Sequence, residues 1–235
     1  MRFSLPRMPA ASPAILFDFD GVLVDSEPLH LAAFRVFAGR LGVEISQADY
    51  DDVYIGFDDR DAFRELHRVA GVPLDDATLA ALIEDKAGVF ERVTREAAAA
   101  GGLALPGAVA LVRAVEAAGL PHAIGSGATR ADIELMLDLI GCRDAFDLIV
   151  SADDVARSKP DPETYLRCAE LLAVTPADCL VIEDTPAGLA SARAAGMRTL
   201  AVANSLPADQ LDADTVVADT AAVDLGLLRA LAASD

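Results

Sequence analysis

The apolar positions along this chain change period twice. Residues 14–17 form a short unbroken apolar run that stops at Asp18, the pattern of a parallel strand buried on both faces. From Pro28 to about Ala100 the spacing turns helical and leaves no room for a strand. Leu29, Ala32, Ala33, Val36 and Phe37 share one helical face, and Leu79, Leu82, Ile83 and Phe90 share another in a helix opened by Asp75 and Asp76. Glu96 to Ala100 reads as the frayed end of that helix. Beyond Pro106-Gly107, helical stretches at 108–118, 130–140, 163–172 and 188–195 are followed by short apolar runs at 122–124, 146–150, 179–182 and 198–202, with a last short strand at 216–217. Helices alternating with short strands predict a parallel sheet. The expected class is α/β: a core made of residues 1–27 and 101–235, interrupted by a helical domain at 28–100.

Composition narrows the function classes. The chain has 235 residues, of which 53% are hydrophobic and 24% charged, enough apolar material for one large domain or two unequal ones. Asp and Glu number 38 against 19 Lys and Arg, a net charge of −19. That charge repels phosphate backbones and anionic lipid, so no nucleic-acid or membrane partner is expected. No apolar run approaches the roughly 18 residues of a membrane helix. Residues 1–12 carry Arg2 and Arg7 but are broken by Pro6 and Pro9, which suits a loose tail better than a secretory signal. Cys142, Cys168 and Cys179 are odd in number and lack a C-x-x-C spacing. They read as reduced structural thiols in a cytoplasmic protein.

The chemistry-bearing residues gather at predicted strand ends, where open α/β sheets bind their ligands. Asp18-Phe19-Asp20-Gly21 follows the first strand, Gly125-Ser126-Gly127 the second, Ser158-Lys159-Pro160 lies beyond the third, and Glu183-Asp184 ends the fourth. Two pairs of like charges on one edge repel unless a cation joins them, and Mg2+ prefers such oxygen ligands. Taken singly, each piece has a plainer reading as a cap or loop. Asp25 and Ser26, just before Pro28, read as helix caps. The agreement in order and placement of all four stretches carries the functional reading.

The run Asp18-Phe19-Asp20-Gly21-Val22-Leu23-Val24-Asp25-Ser26 resembles the first motif of the haloacid dehalogenase superfamily. Ser126 resembles its second motif, Lys159 in Ser158-Lys159-Pro160-Asp161-Pro162 its third, and Glu183-Asp184-Thr185-Pro186-Ala187-Gly188 its fourth. The likeness runs from about Ile15 to Val202. The helical insert after the first motif is similar to the cap of the β-phosphoglucomutase-like and phosphoglycolate-phosphatase-like branch. The resemblance implies a Rossmann-like parallel-sheet core with an inserted helical-bundle cap.

It also implies roles. Asp18 is the expected nucleophile, forming an aspartyl-phosphate, and Asp20 the general acid and base. Asp18, Asp20 (through its carbonyl), Asp184 and Glu183 are the expected Mg2+ ligands, Glu183 by way of a metal-bound water. Ser126, Gly127 and nearby N–H groups would hold phosphoryl oxygens, and Lys159 would offset their charge. Arg60 and Arg130 are candidate substrate contacts. The expected activity is hydrolysis of a small phosphorylated metabolite, such as a sugar phosphate or phosphoglycolate, by a monomer or weak homodimer with a mobile cap. A phosphomutase is the alternative, and an inactive ligand-binding homologue a more distant one. Where β-phosphoglucomutases carry an arginine three residues past a cap-loop glycine, the stretch Gly56-Phe57-Asp58-Asp59-Arg60-Asp61 has Asp59. His67 and Lys86 are expected to face solvent, and His30 to lie on a helix surface or near the hinge.

Overall fold

The computed structural model describes residues 13–54, 57 and 59–233. The tail at 1–12, and Gly56 and Asp58 of the cap loop, lie outside the described residues. In chain order the first elements are β1 (Ala14–Phe17), α1 (Glu27–Arg40), α2 (Gln47–Asp49), α3 (Asp59–Ala70) and α4 (Asp76–Ala99). There follow α5 (Ala108–Ala117), β2 (His122–Gly125), α6 (Arg130–Leu139), β3 (Ile149–Val150), α7 (Glu163–Leu172) and β4 (Cys179–Glu183). The last are α8 (Pro186–Ala194), β5 (Arg198–Val202), β6 (Thr215–Val217) and α9 (Leu225–Ala233). The chain divides into two compact units, one of residues 1–24 with 104–235 and one of 25–103.

The first unit is a six-stranded parallel sheet in the order β3-β2-β1-β4-β5-β6, a Rossmann-like α/β fold. Every residue of β1 and β4 is buried, which explains why both read as unbroken apolar runs. Alternate residues serve opposite faces. Ala14, Leu16, Ala123, Cys179 and Val181 meet Tyr165, Cys168 and Ala169 of α7 and Ala192 of α8 on one face. On the other, Phe17 meets Phe146 edge-on at 5.8 Å, and α9 lies against β4 and α5. The register pairs Phe17 with both Ile124 and Ile182. The next residues, Asp18, Gly125 and Glu183, therefore lie side by side at the C-terminal edge of the sheet.

One strand is shorter than its sequence suggested. Residues 146–150 were expected to be extended, but only Ile149 and Val150 pair with β2. A turn of 3-10 helix at Arg143–Ala145 takes the Phe146 amide, which donates to the Arg143 carbonyl at 3.4 Å. The Phe146 ring is fixed against Phe17 and His122. The three cysteines are free and buried, and burial pushes the Cys168 thiol up to about 12 and Cys179 to about 11. Among the described residues no helix is long and apolar enough to cross a membrane.

Among the described residues, the regular elements of the second unit are all helices. Leu31, Phe34, Phe37 and Ala38 of α1 pack with Ala62, Phe63 and Leu66 of α3 and Leu79 of α4. Phe63 sits edge-on to Phe34 at 5.5 Å and to Phe37 at 5.1 Å, a favoured aromatic geometry. Asp75 caps α4 by accepting from the Thr78 amide at 2.7 Å, and the helix continues unbroken to Ala99 rather than fraying. Ser26 stands at the N-cap of α1 but makes no capping bond, because its backbone is already helical. Two other expectations fail in this unit: Lys86 and His67 are buried, with 3% and 7% exposure. His30 is half-buried.

For His67 a local contact accompanies burial, its Nδ1 lying 3.3 Å from the Val72 carbonyl; for Lys86 the reason is a polar cluster inside an aromatic cage. The Lys86 ammonium lies 4.5 Å from the Phe34 ring centre and forms an ion pair with Asp59. It also approaches His30 Nδ1 at 3.3 Å. His30 stacks on Phe90 at 4.5 Å, and burial with the neighbouring lysine charge drives its pKa down to about 3. A helical periodicity cannot distinguish such a satisfied buried lysine from a solvated one.

Candidate active site

The parallel register delivers the site. Lys159 Nζ donates to Asp18 Oδ1 at 2.8 Å, to the Gly125 carbonyl at 3.0 Å and to Glu183 Oε1 at 2.8 Å. One ammonium thus joins the C-terminal ends of β1, β2 and β4. Its underside faces the Tyr165 ring, 4.7 Å from the centroid, a cation–π placement. Asp18, Ser126, Glu183 and Asp184 are all buried, and one oxygen from each of Asp18, Glu183 and Asp184 lies within 4.8 Å of the others. Asp20 does not join that group of three, although its charge still acts on Asp184.

The carboxylates differ in what holds them. Glu183 is saturated: Lys159 and Tyr165 donate to Oε1, while the amides of Asp184 and Thr185 and the Thr185 hydroxyl donate to Oε2. Burial pushes its pKa up, but the lysine charge and these bonds outweigh burial and hold it below the ordinary value. Gly188 makes room for it, since a Cβ there would fall 1.6 Å from Oε1. Asp184 is the opposite case. Its Oδ2 accepts from the Ser205 hydroxyl, and its Oδ1 is buried with no hydrogen-bond partner among the described residues.

Burial, then the Glu183 charge, raises Asp184 to about 7. The same two causes push Asp18 well above the usual carboxylate range despite the opposing lysine. Lys159 is raised in turn, because Asp18 and Glu183 outweigh the burial that would lower it. An orphaned buried carboxylate oxygen beside a second high-pKa carboxylate fits a divalent cation with oxygen preference. The donor set therefore suits Mg2+.

The remaining predicted residues are placed as follows. Ser126 follows β2 with no exposure, and its hydroxyl accepts from the Ala128 amide at 2.9 Å. Gly127 beside it is exposed. Arg130 is committed elsewhere: its guanidinium donates to the Ile149 carbonyl at 2.8 Å and to Asp154 at 2.7 Å. That arrangement ties the start of α6 to the segment after β3. Arg60 lies exposed in the first turn of α3 in the helical unit.

Four polar residues escaped the sequence reading. Tyr165 looks like an apolar core position of α7, and only the rule that a buried phenol needs a partner hints at its bond to Glu183. Asn204, Ser205 and Thr220 carry no local signal. They reach the site because the chain after β5 and the turn after β6 fold back over the first motif. Asn204 Nδ2 donates to the Gly21 carbonyl at 2.7 Å and to Thr220 Oγ1 at 2.9 Å, and Thr220 Oγ1 donates to the Val22 carbonyl at 2.9 Å.

Comparison with known proteins agrees with this arrangement. Residues 15–202 match the family model described as haloacid dehalogenase-like hydrolase. Fructose-1-phosphate phosphatase YqaB of Escherichia coli (strain K12) is 32% identical over 186 residues, covering 78% of this chain and 92% of the relative. Hexitol phosphatase A of the same organism is 36% identical over 190 residues, covering 80% of this chain and 81% of the relative. The crystal structure of CbbY from Rhodobacter sphaeroides in complex with phosphate superposes with a TM-score of 0.75 at 26% identity, covering 89% of this chain and 95% of that one. With its four motifs at the strand ends of a matching sheet, the chain belongs to the haloacid dehalogenase-like hydrolases.

Proposed function

We propose that this hydrolase is a Mg2+-dependent phosphatase of small phosphorylated metabolites, with sugar phosphates the favoured class, and that it works through a phosphorylated Asp18. The observation that carries the reading is the convergence of three strand ends on Lys159 and Asp18 beside the unpartnered Oδ1 of Asp184. The names of the two phosphatase relatives support the substrate class.

Asp18 and Asp184 would hold the cation, with the Asp20 carbonyl as the resemblance implies. Bound there, Mg2+ would offset carboxylate charge and polarise phosphoryl oxygens. Lys159 keeps one Asp18 oxygen in place and presents positive charge to the incoming phosphoryl group. The other Asp18 oxygen attacks phosphorus as the bond to the leaving oxygen breaks. Asp20 gives that oxygen its proton. Asp20 then takes a proton from water as the water attacks phosphorus and Asp18 is released. Ser126 and Gly127 would contact the phosphoryl oxygens. Glu183, already taken by five donors, holds Lys159 rather than substrate.

Arg60 is the proposed substrate contact from the helical unit. A phosphomutase must also grip a second phosphate. At the position where that branch would carry an arginine, Asp59 instead pairs with Lys86, which weighs against the mutase. A panel of phosphorylated metabolites ranked by kcat/KM tests the proposal. Phosphate release from sugar phosphates is expected, without glucose 6-phosphate from β-glucose 1-phosphate. Stoichiometric isomerisation with no phosphate release would overturn it.

A further inference from the structure

The matched family region ends at residue 202, yet the next turn of chain reaches the acidic cluster. Ser205 Oγ donates to Asp184 Oδ2, and Asn204 fastens the same turn to the Gly21 carbonyl and Thr220. The backbone of the first motif lies directly on this pair. A Cβ at Gly21 would fall 1.8 Å from Asp184 Oδ2 and 2.6 Å from Ser205 Oγ. Gly21 also has φ +73°, a conformation that glycine adopts without strain.

The two Asp184 oxygens are therefore unequal. Oδ2 has a hydroxyl donor in a crowded position, and Oδ1 is buried with none. A free carboxylate can turn about its terminal bond and exchange its oxygens. Here the Ser205 bond resists that rotation, and Asn204 keeps Ser205 where it can act. Partners of this kind orient ligating carboxylates and contribute to metal affinity.

We propose that Ser205, supported by Asn204, is a positioning residue that holds Asp184 Oδ2 and leaves Oδ1 preset for the cation. This rests on the assignment of Asp184 as a cation ligand in the proposed function. Direct calorimetric titration of Mg2+ into the full-length protein, without substrate, reads the effect apart from turnover. Ser205→Ala should weaken Mg2+ binding about tenfold, with the melting temperature in EDTA unchanged. Ser205→Cys, close in size but a poor donor, should weaken it similarly, and Ser205→Thr should keep most of the affinity.

Wild-type Mg2+ affinity in Ser205→Ala and Ser205→Cys, alongside loss of binding in Asp184→Asn, would overturn this inference and leave the phosphatase reading standing. Equal weakening in Ser205→Thr and Ser205→Ala would assign the effect to packing and also overturn it. Undiminished binding in Asp184→Asn would remove the cation assignment itself.

Discussion

The two aspartates of the first motif are separated by one residue but are asked to do different work. Asp18 is buried, bonded to Lys159 and held at a high pKa, whereas Asp20 is half-buried. Asp18→Asn should therefore abolish turnover and any phosphorylated intermediate. Asp20→Asn should slow phosphate release on the order of 10²–10⁴-fold. The loss in its first half-reaction should be smallest for p-nitrophenyl phosphate, whose leaving group needs little protonation. Equal impairment on alkyl and aryl esters in single-turnover experiments would remove Asp20 as the acid.

The same cluster sets a pH dependence. In the metal-free protein Asp184 rises from 3.8 to about 7, and Asp18 shifts the same way. A carboxyl with a raised folded pKa stabilises the fold while protonated, fully below its unfolded value, and that contribution is lost as pH rises through the folded value. Melting temperature in EDTA should fall between pH 5 and pH 8 for this reason. Mg2+ binds the ionised form, so the stabilisation it confers should grow over the same interval. Asp184→Asn should flatten both trends.

At the scale of elements, the sheet was legible because a buried parallel strand announces itself. Ala-Ile-Leu-Phe before Asp18 and Cys-Leu-Val-Ile before Glu183 leave little choice of structure. The meeting of Asp18, Glu183 and Asp184 was legible because residues at the ends of such strands must emerge together at one sheet edge. Segment 146–150 was misread because apolar content alone does not reveal that Phe146 closes a turn with Arg143. Lys86 was misread because burial in an aromatic cage with Asp59 comes from tertiary packing, which has no local period. Asn204, Ser205 and Thr220 were invisible for the same reason: their partners, at Gly21, Val22 and Asp184, lie far away in sequence.

The turn between β1 and α1 makes this dependence testable. Gly21→Ala places a methyl group where the Asp184 carboxylate already sits, on a residue with positive φ. The expected result is loss of Mg2+ binding together with a lower melting temperature. Alanine tolerated at this position with full Mg2+ affinity would contradict the packing of the first motif against the fourth.

At the scale of the whole molecule, a net charge of −19 has one consequence for the chemistry. An anionic substrate meets overall repulsion, which one buried lysine does not cancel when Asp18, Glu183 and Asp184 stand around it. A bound cation changes that local balance, which makes the proposed activity conditional on metal. Phosphate release from fructose 1-phosphate and related sugar phosphates, followed as Mg2+ is titrated into rigorously metal-free protein, tests this most directly. No release is expected at the start, then a saturable rise with Mg2+ that excess EDTA reverses and that is absent in Asp184→Ala. Full turnover in metal-free buffer, or an Asp184→Ala variant as active as wild type, would contradict it.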